Sequence, residues 1–230
     1  MSRRFLVTGG SQGIGAAIVH AAREAGHQVV FTGRNQGHID ATVKATGAEG
    51  IKADVSSDSD NERIVEHCVR HMRGIDVLIN NAAFGYSGEI GSIDMKAMRD
   101  LFATNVFGMV DLTNRVAPLM KAQQEGDIVN IASTSGTKGA KGATVYAGSK
   151  WAVRGITQCW QAELRPFGIR VISICPSEVQ TNWMGKAGRN NPNKLYAHDI
   201  ANTIMAGLNM PRHVLWTELT VFANNPWKEN

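Results

Sequence analysis

Short apolar runs alternate with amphipathic stretches along the whole chain. Phe5-Leu6-Val7-Thr8, 28–32, 50–55, 76–80, 127–132 and 169–175 are apolar runs of strand length. Most are apolar almost throughout, not at every second residue, which predicts strands buried on both faces of a sheet. Helical patterns lie between them: about 16–25, stopped by Gly26; 58–73; a long one over about 94–121; one from about 144 to Pro166-Phe167-Gly168; and a short one over about 198–208. Residues 215–222 alternate like a last strand. Strand and helix in alternation predict an α/β fold. No repeat, linker or low-complexity tract interrupts the pattern, so one domain over 1–230 is expected.

Composition narrows the classes. The chain has 230 residues, 43% hydrophobic and 19% charged, which suits one domain with a substantial core. No stretch of about eighteen apolar residues exists, so no membrane span is expected. The basic start, Met1-Ser2-Arg3-Arg4, is followed by an apolar run that Thr8-Gly9-Gly10 cuts short, so no secretory leader is expected. Cys68, Cys159 and Cys175 read as reduced core thiols of a cytoplasmic protein. No metal is expected: the cysteine spacing fits no site, and the seven histidines are not taken as ligand pairs of the His-x-x-x-His kind. The net charge of +4 is spread without runs or interleaved aromatics, so it reads as a solvated surface and not a nucleic-acid site.

Candidate chemistry begins with the first strand. It runs into Gly9-Gly10-Ser11-Gln12-Gly13-Ile14-Gly15 and then a helix. Glycines let backbone approach a pyrophosphate, and free N–H groups at a helix start stabilise its charge. The second strand ends Thr32-Gly33-Arg34-Asn35. An acid there would bind a ribose diol and repel a 2′-phosphate; Gly33 and Arg34 leave room and a cation, which favours NADP(H) over NAD(H). The bland alternative is a surface arginine. Asp54, with Val55, ends the third run and is either an acceptor for an adenine amino group or a loop cap. Asn80-Asn81-Ala82-Ala83 closes the fourth run with two amides and two small residues that let a flat ligand lie on backbone. Asn105 stands inside an apolar helical stretch and needs a partner, either a carbonyl or a held water. Ser133 follows the fifth run, where ligands bind in parallel sheets. Tyr146 and Lys150 lie one helical turn apart, about 6 Å along the axis. A phenol titrates near ~10, and a cation beside it favours the phenolate and brings proton exchange toward neutral pH. On many helices such a pair is only a solvated face.

Thr8-Gly9, Gly13 and Gly15, Asn80-Asn81-Ala82, Asn105, Ser133, Tyr146 with Lys150, and Pro176 through Thr181 occur in this order, with Ser133 thirteen positions before Tyr146. In this the chain resembles the short-chain dehydrogenase/reductase family over nearly its whole length. The resemblance implies a Rossmann-type doubly wound parallel sheet in the order 3-2-1-4-5-6-7, with helices on both faces. Residues 1–80 would mainly hold cofactor, and 81–230 would carry catalysis and substrate, with a lid at about 182–197. It implies hydride transfer between a nicotinamide and a ketone or alcohol. Tyr146 would exchange the proton, Ser133 would hold the substrate oxygen, Lys150 would hold the ribose and lower the Tyr146 pKa, and Asn105 would position a water. Val179 and Thr181, with Pro176, would meet the carboxamide. Substrate contacts are expected from Phe84, Ser135, Trp183 and Met184. Lys138 and Lys141 would suit an acyl-carrier substrate, which leaves a 3-oxoacyl reductase as an alternative. A cofactor-binding regulator is a rival of another class. The chain departs from the family's pattern at Ala83 and Ser177, where glycine is usual, and in its final segment, which lacks a glycine-rich tail. A homo-oligomer packed through the long helices is expected.

Overall fold

A computed structural model describes residues 2–182 and 191–225. The chain runs β1 (Arg4–Val7), α1 (Gly13–Glu24), β2 (Gln28–Gly33), α2 (Gln36–Thr46), β3 (Glu49–Lys52), α3 (Asp58–Met72), β4 (Val77–Asn80), α4 (Met95–Phe102), α5 (Met109–Gln123), β5 (Gly126–Ile131), α6 (Thr144–Leu164), β6 (Ile169–Pro176), β7 (Val179–Gln180), β8 (Leu195–Tyr196), α7 (Ala197–Leu208) and β9 (Glu218–Val221). Seven strands form one parallel sheet in the order β3-β2-β1-β4-β5-β6-β9. This is the expected order: β9 is the sheet's seventh strand, because β7 and β8 pair with each other outside it.

Alternate residues of each strand feed opposite cores, which is why the runs are apolar throughout. Phe5, Val7, Phe31, Ile79 and Val129 meet Ile18 and Val19 of α1 and Ile200 and Ile204 of α7. Leu6, Val30, Leu78 and Ile128 meet Ile64 of α3 and Leu112 and Val116 of α5. The resulting three layers leave the carboxyl ends of the strands as an open edge. Polar pins hold that frame. Asn80 donates to Thr113 at 3.0 Å and to Asn130 at 2.9 Å, and Asn130 donates to Thr157 at 2.8 Å. One buried amide chain thus joins β4 and β5 to α5 and to α6, the helix that bears Tyr146 and Lys150.

Several expectations change. The third strand ends at Lys52, so Asp54 lies in the loop beyond it, where its N–H donates to Asp60 at 2.8 Å. Helix α2 has no counterpart in the sequence reading: it buries only Ile39 and Thr42 and is fixed by its ends. Asn35 accepts from the His38 N–H, and Gly47 closes it at φ 65°. The long helix over about 94–121 is α4 and α5 joined through a wider π-type turn at Ala103–Gly108. Cys68 and Cys175 are buried, but Cys159 is exposed, so it is not a core thiol. Trp151 is half exposed beneath the Arg154 guanidinium. Finally, His67 and His71 are a His-x-x-x-His pair after all, stacked on α3 with ring centroids 4.1 Å apart.

Candidate active site

The strand order reverses between β1 and β4, and their carboxyl ends open on a cleft of about 540 Å³. A crevice at such a reversal is where open parallel sheets bind ligands. One end is made by the glycine loop. Gly9 takes φ +63°, and a Cβ on it would meet the backbone of Ala82 at 3.0 Å. A Cβ on Gly15 would meet the Gly9 carbonyl oxygen at 2.2 Å, so only hydrogen fits there. The loop is fastened from β4's end. Asn81 Nδ2 donates to the carbonyls of Thr8 and Gly9 at 2.9 and 3.1 Å. Thr8 Oγ1 accepts from the N–H groups of Asn81 and Ala82, both at 3.0 Å. Thr8, which opens the motif in the sequence, is therefore a loop-setting residue through its side chain.

Gly9, Ser11, Gln12, Gly13 and Ile14 line the cleft, with Arg34, Asp54, Val55, Asn81 and Ala82 along its sides. Gly15 stands behind them, against Gly9 and Asn81. Arg34 is mostly exposed and makes a loose ion pair with Asp54 at 3.7 Å. Asp54 also accepts from the Ser56 N–H and hydroxyl, at 3.0 and 2.7 Å.

At the other end Ser133, Ser135, Tyr146, Lys150, Pro176, Val179, Thr181 and Phe84 line the same cleft. Ala83 and Ser177, the two departures from glycine, line it as well. Trp183 and Met184 lie outside the described residues, as does the stretch 183–190 of the expected lid. Ser133 ends the turn after β5 and hydrogen-bonds the Tyr146 phenol. Lys150, one turn along α6, is buried, and its Nζ donates to the Ile131 carbonyl at 2.7 Å.

The electrostatics differ from the sequence expectation. Burial raises the Tyr146 phenol above its ordinary value, with the Ser133 hydrogen bond opposing. The cation does not reverse this: Lys150 Nζ sits 5.7 Å from the phenol ring centroid, and burial drives its own pKa down to about 8. In this cleft the phenol is therefore held protonated at neutral pH.

Asn105 is placed differently from the others. It lies in the π-type turn, where its Oδ1 accepts from the Phe84 N–H and its Nδ2 donates to the Phe84 carbonyl, both at 3.0 Å, and to Ser149 at 3.2 Å. Its amide thus clamps the loop bearing Phe84 to the helix bearing Tyr146. A second, small cavity of about 10 Å³ lies behind the cleft, bordered by Asn105, Asn80 and Lys150. That is about one water's worth of probe volume.

Known proteins share this fold. An uncharacterized oxidoreductase of Staphylococcus saprophyticus is 35% identical over 222 residues, covering 94% of this chain and 95% of its own. A short-chain dehydrogenase from Streptomyces avermitilis superposes with a TM-score of 0.87 at 29% identity, covering 96% of this chain and 89% of its own. The closed form of a serine dehydrogenase complexed with NADP+ superposes with a TM-score of 0.87 at 27% identity, covering 94% and 93% of the two chains. The family model for short chain dehydrogenases matches residues 3–192, most of the length. With the sheet order, the glycine loop and the serine, tyrosine and lysine at one cleft, these likenesses make the chain a member of the short-chain dehydrogenase family.

Proposed function

We propose that the protein is an NADP(H)-dependent oxidoreductase that interconverts a ketone or aldehyde and the corresponding alcohol. The observation carrying this is one cleft with an anion-binding glycine loop at one end and Ser133, Tyr146 and Lys150 at the other. The residues fit a dinucleotide: a Cβ at Gly9 or Gly15 would fill the cradle, and the volume suits a cofactor-sized ligand. Gly9, Ser11, Gln12, Gly13 and Ile14 would hold the pyrophosphate, Val179 and Thr181 the carboxamide, and Lys150 the ribose hydroxyls. A bound nicotinamide supplies or accepts the hydride.

The chain's own groups handle the oxygen. During reduction, negative charge grows on the carbonyl oxygen. Ser133 donates a hydrogen bond to it, and Tyr146 gives it a proton. These donors act where charge develops, which lowers the transition state more than the ground state. The buried, protonated phenol suits the acid role. Lys150 keeps positive charge nearby, and Asn105 positions the loop of Phe84 over the substrate side.

Arg34 and the lack of an acid at the end of β2 support NADP(H). The NADP+ bound to the serine dehydrogenase, and the NADP in a metagenomic short-chain oxidoreductase of 26% identity, support it too. The substrate is a small carbonyl compound or alcohol, and Phe84 contributes an apolar wall. Exposed Phe107 on the π-type turn and Trp151 on α6 support a homo-oligomer through the long helices. Two buried free thiols support a cytoplasmic setting, and among the described residues no helix is long and apolar enough to cross a membrane. The test is NADPH and NADH oxidation, followed by absorbance, with a panel of ketones and aldehydes. Turnover faster with NADPH is expected. Tight cofactor binding with no turnover of any carbonyl would replace this reading with a cofactor-binding regulator.

A further inference from the structure

We propose that Glu49, His67 and His71 form a zinc site that pins helix α3 to edge strand β3. Among the described residues these are the three metal-ligating side chains whose donor atoms lie together, all within 4.8 Å of one another. The helix supplies two imidazoles on one face, one turn apart, as its i, i+4 spacing dictates. The strand supplies a carboxylate from its first position. His67 Nε2 is 2.7 Å from Glu49 Oε1, and His71 Nδ1 is 3.1 Å from Oε2.

These distances are close to what zinc requires. Bonds of about 2.0–2.2 Å in a tetrahedron place neighbouring donors roughly 3.3 Å apart. The two contacts to the carboxylate, at 2.7 and 3.1 Å, lie within about 0.6 Å of this. The widest separation must close by no more than about 1.5 Å, which a modest turn of one histidine ring supplies. Two nitrogens and one carboxylate leave a fourth position for solvent. Imidazole ligands favour zinc, copper and nickel over magnesium and calcium, which take all-oxygen sets. The carboxylate now hydrogen-bonds the His67 ring and lies within ion-pair distance of the His71 ring, so the three side chains are drawn together before any ion arrives.

The site lies at the amino end of β3, on the opposite edge of the sheet from the cleft, and none of its residues lines the cleft. It therefore acts on stability and not on the hydride chemistry. An ion bound only by the folded chain shifts the folding equilibrium toward it.

The experiment uses tag-free chain stripped with chelator, titrated with zinc chloride by calorimetry and followed by thermal melting. One zinc per chain is expected. At about 100 times Kd the Tm should rise roughly 5–10 °C, reversed by chelator. Cobalt should replace zinc and give visible d–d bands, and magnesium should do nothing. His67→Ala, His71→Ala and Glu49→Gln should each weaken zinc binding at least about tenfold, since lesser changes around metal ligands already cost 10- to 100-fold. His71 is half exposed and Glu49→Gln keeps its shape, so these two variants retain the fold by circular dichroism in chelator. Zinc binding unchanged in them, or no uptake at a roughly hundredfold molar excess, would overturn the site.

Discussion

Replacing Lys150 by methionine should make the cofactor-free protein more stable near neutral pH while ending its activity. Lys150 is buried, and burial brings its pKa from 10.5 down to about 8. A drop of about 2.5 units is worth about 3 kcal/mol at roughly 1.4 kcal/mol per unit. The sign follows from proton counting. Between about pH 8 and 10.5 the unfolded chain holds a proton that the folded chain has released. Stability then rises with pH across that window, and the full cost of burying the charge is felt below it. Wild type should therefore gain about 2 kcal/mol relative to Lys150→Met between about pH 7 and pH 9.5, or roughly 4–8 °C in Tm. Methionine keeps most of the volume but gives up the bond to the Ile131 carbonyl, so the neutral-pH gain is smaller than the full figure.

The assay is urea or thermal unfolding of both chains across that range, read as a difference. Tyr146, with its ring 5.7 Å from the ammonium, and Cys175, which acts on it electrostatically, are titratable neighbours of Lys150. Burial raises both, so they titrate late and in both chains, and the difference isolates Lys150. A difference that does not change with pH would refute the reasoning: the lysine would then be solvated, and its folded value ordinary.

Tyr146→Phe should cut kcat by roughly 10²–10⁴ while NADPH affinity, measured by fluorescence titration, stays within about threefold; unchanged kcat would remove the proton from Tyr146. Arg34→Ser should lower the ratio of kcat/KM for NADPH over NADH at least about tenfold, since a hydrogen bond to a charged group is worth about 1.5–3 kcal/mol; steady-state kinetics with both cofactors decides it. Gly15→Ala should abolish dinucleotide binding in equilibrium titration and cost about 1–3 kcal/mol in urea unfolding, because its methyl has nowhere to go between Gly9 and Asn81.

The parts of this site that could be read from the chain are those that act through backbone or through fixed local spacing. Gly9 and Gly15 announce a loop because only glycine can stand where they stand. Tyr146 and Lys150 share a helix face by arithmetic. The Tyr146 pKa could not be read that way. Its direction is set by how deeply α6 sinks beside β5, a property of the whole sheet, and that burial outweighs the hydrogen bond from Ser133. Asn105 shows the same divide. A lone amide in an apolar helix told of a required partner, but not that the partner would be the Phe84 backbone, since the loop and the π-type turn meet only in three dimensions. Helix α2 escaped notice because its ends define it and its faces do not. His67 and His71 were within reach of simple counting, yet the spacing acquires meaning only when Glu49 arrives from an adjacent strand. Spacing within one element therefore reports which groups travel together. What each group is worth depends on the burial and the partners that other elements bring, and Lys150, a surface residue by composition and a buried cation by position, is where the two kinds of information differ most.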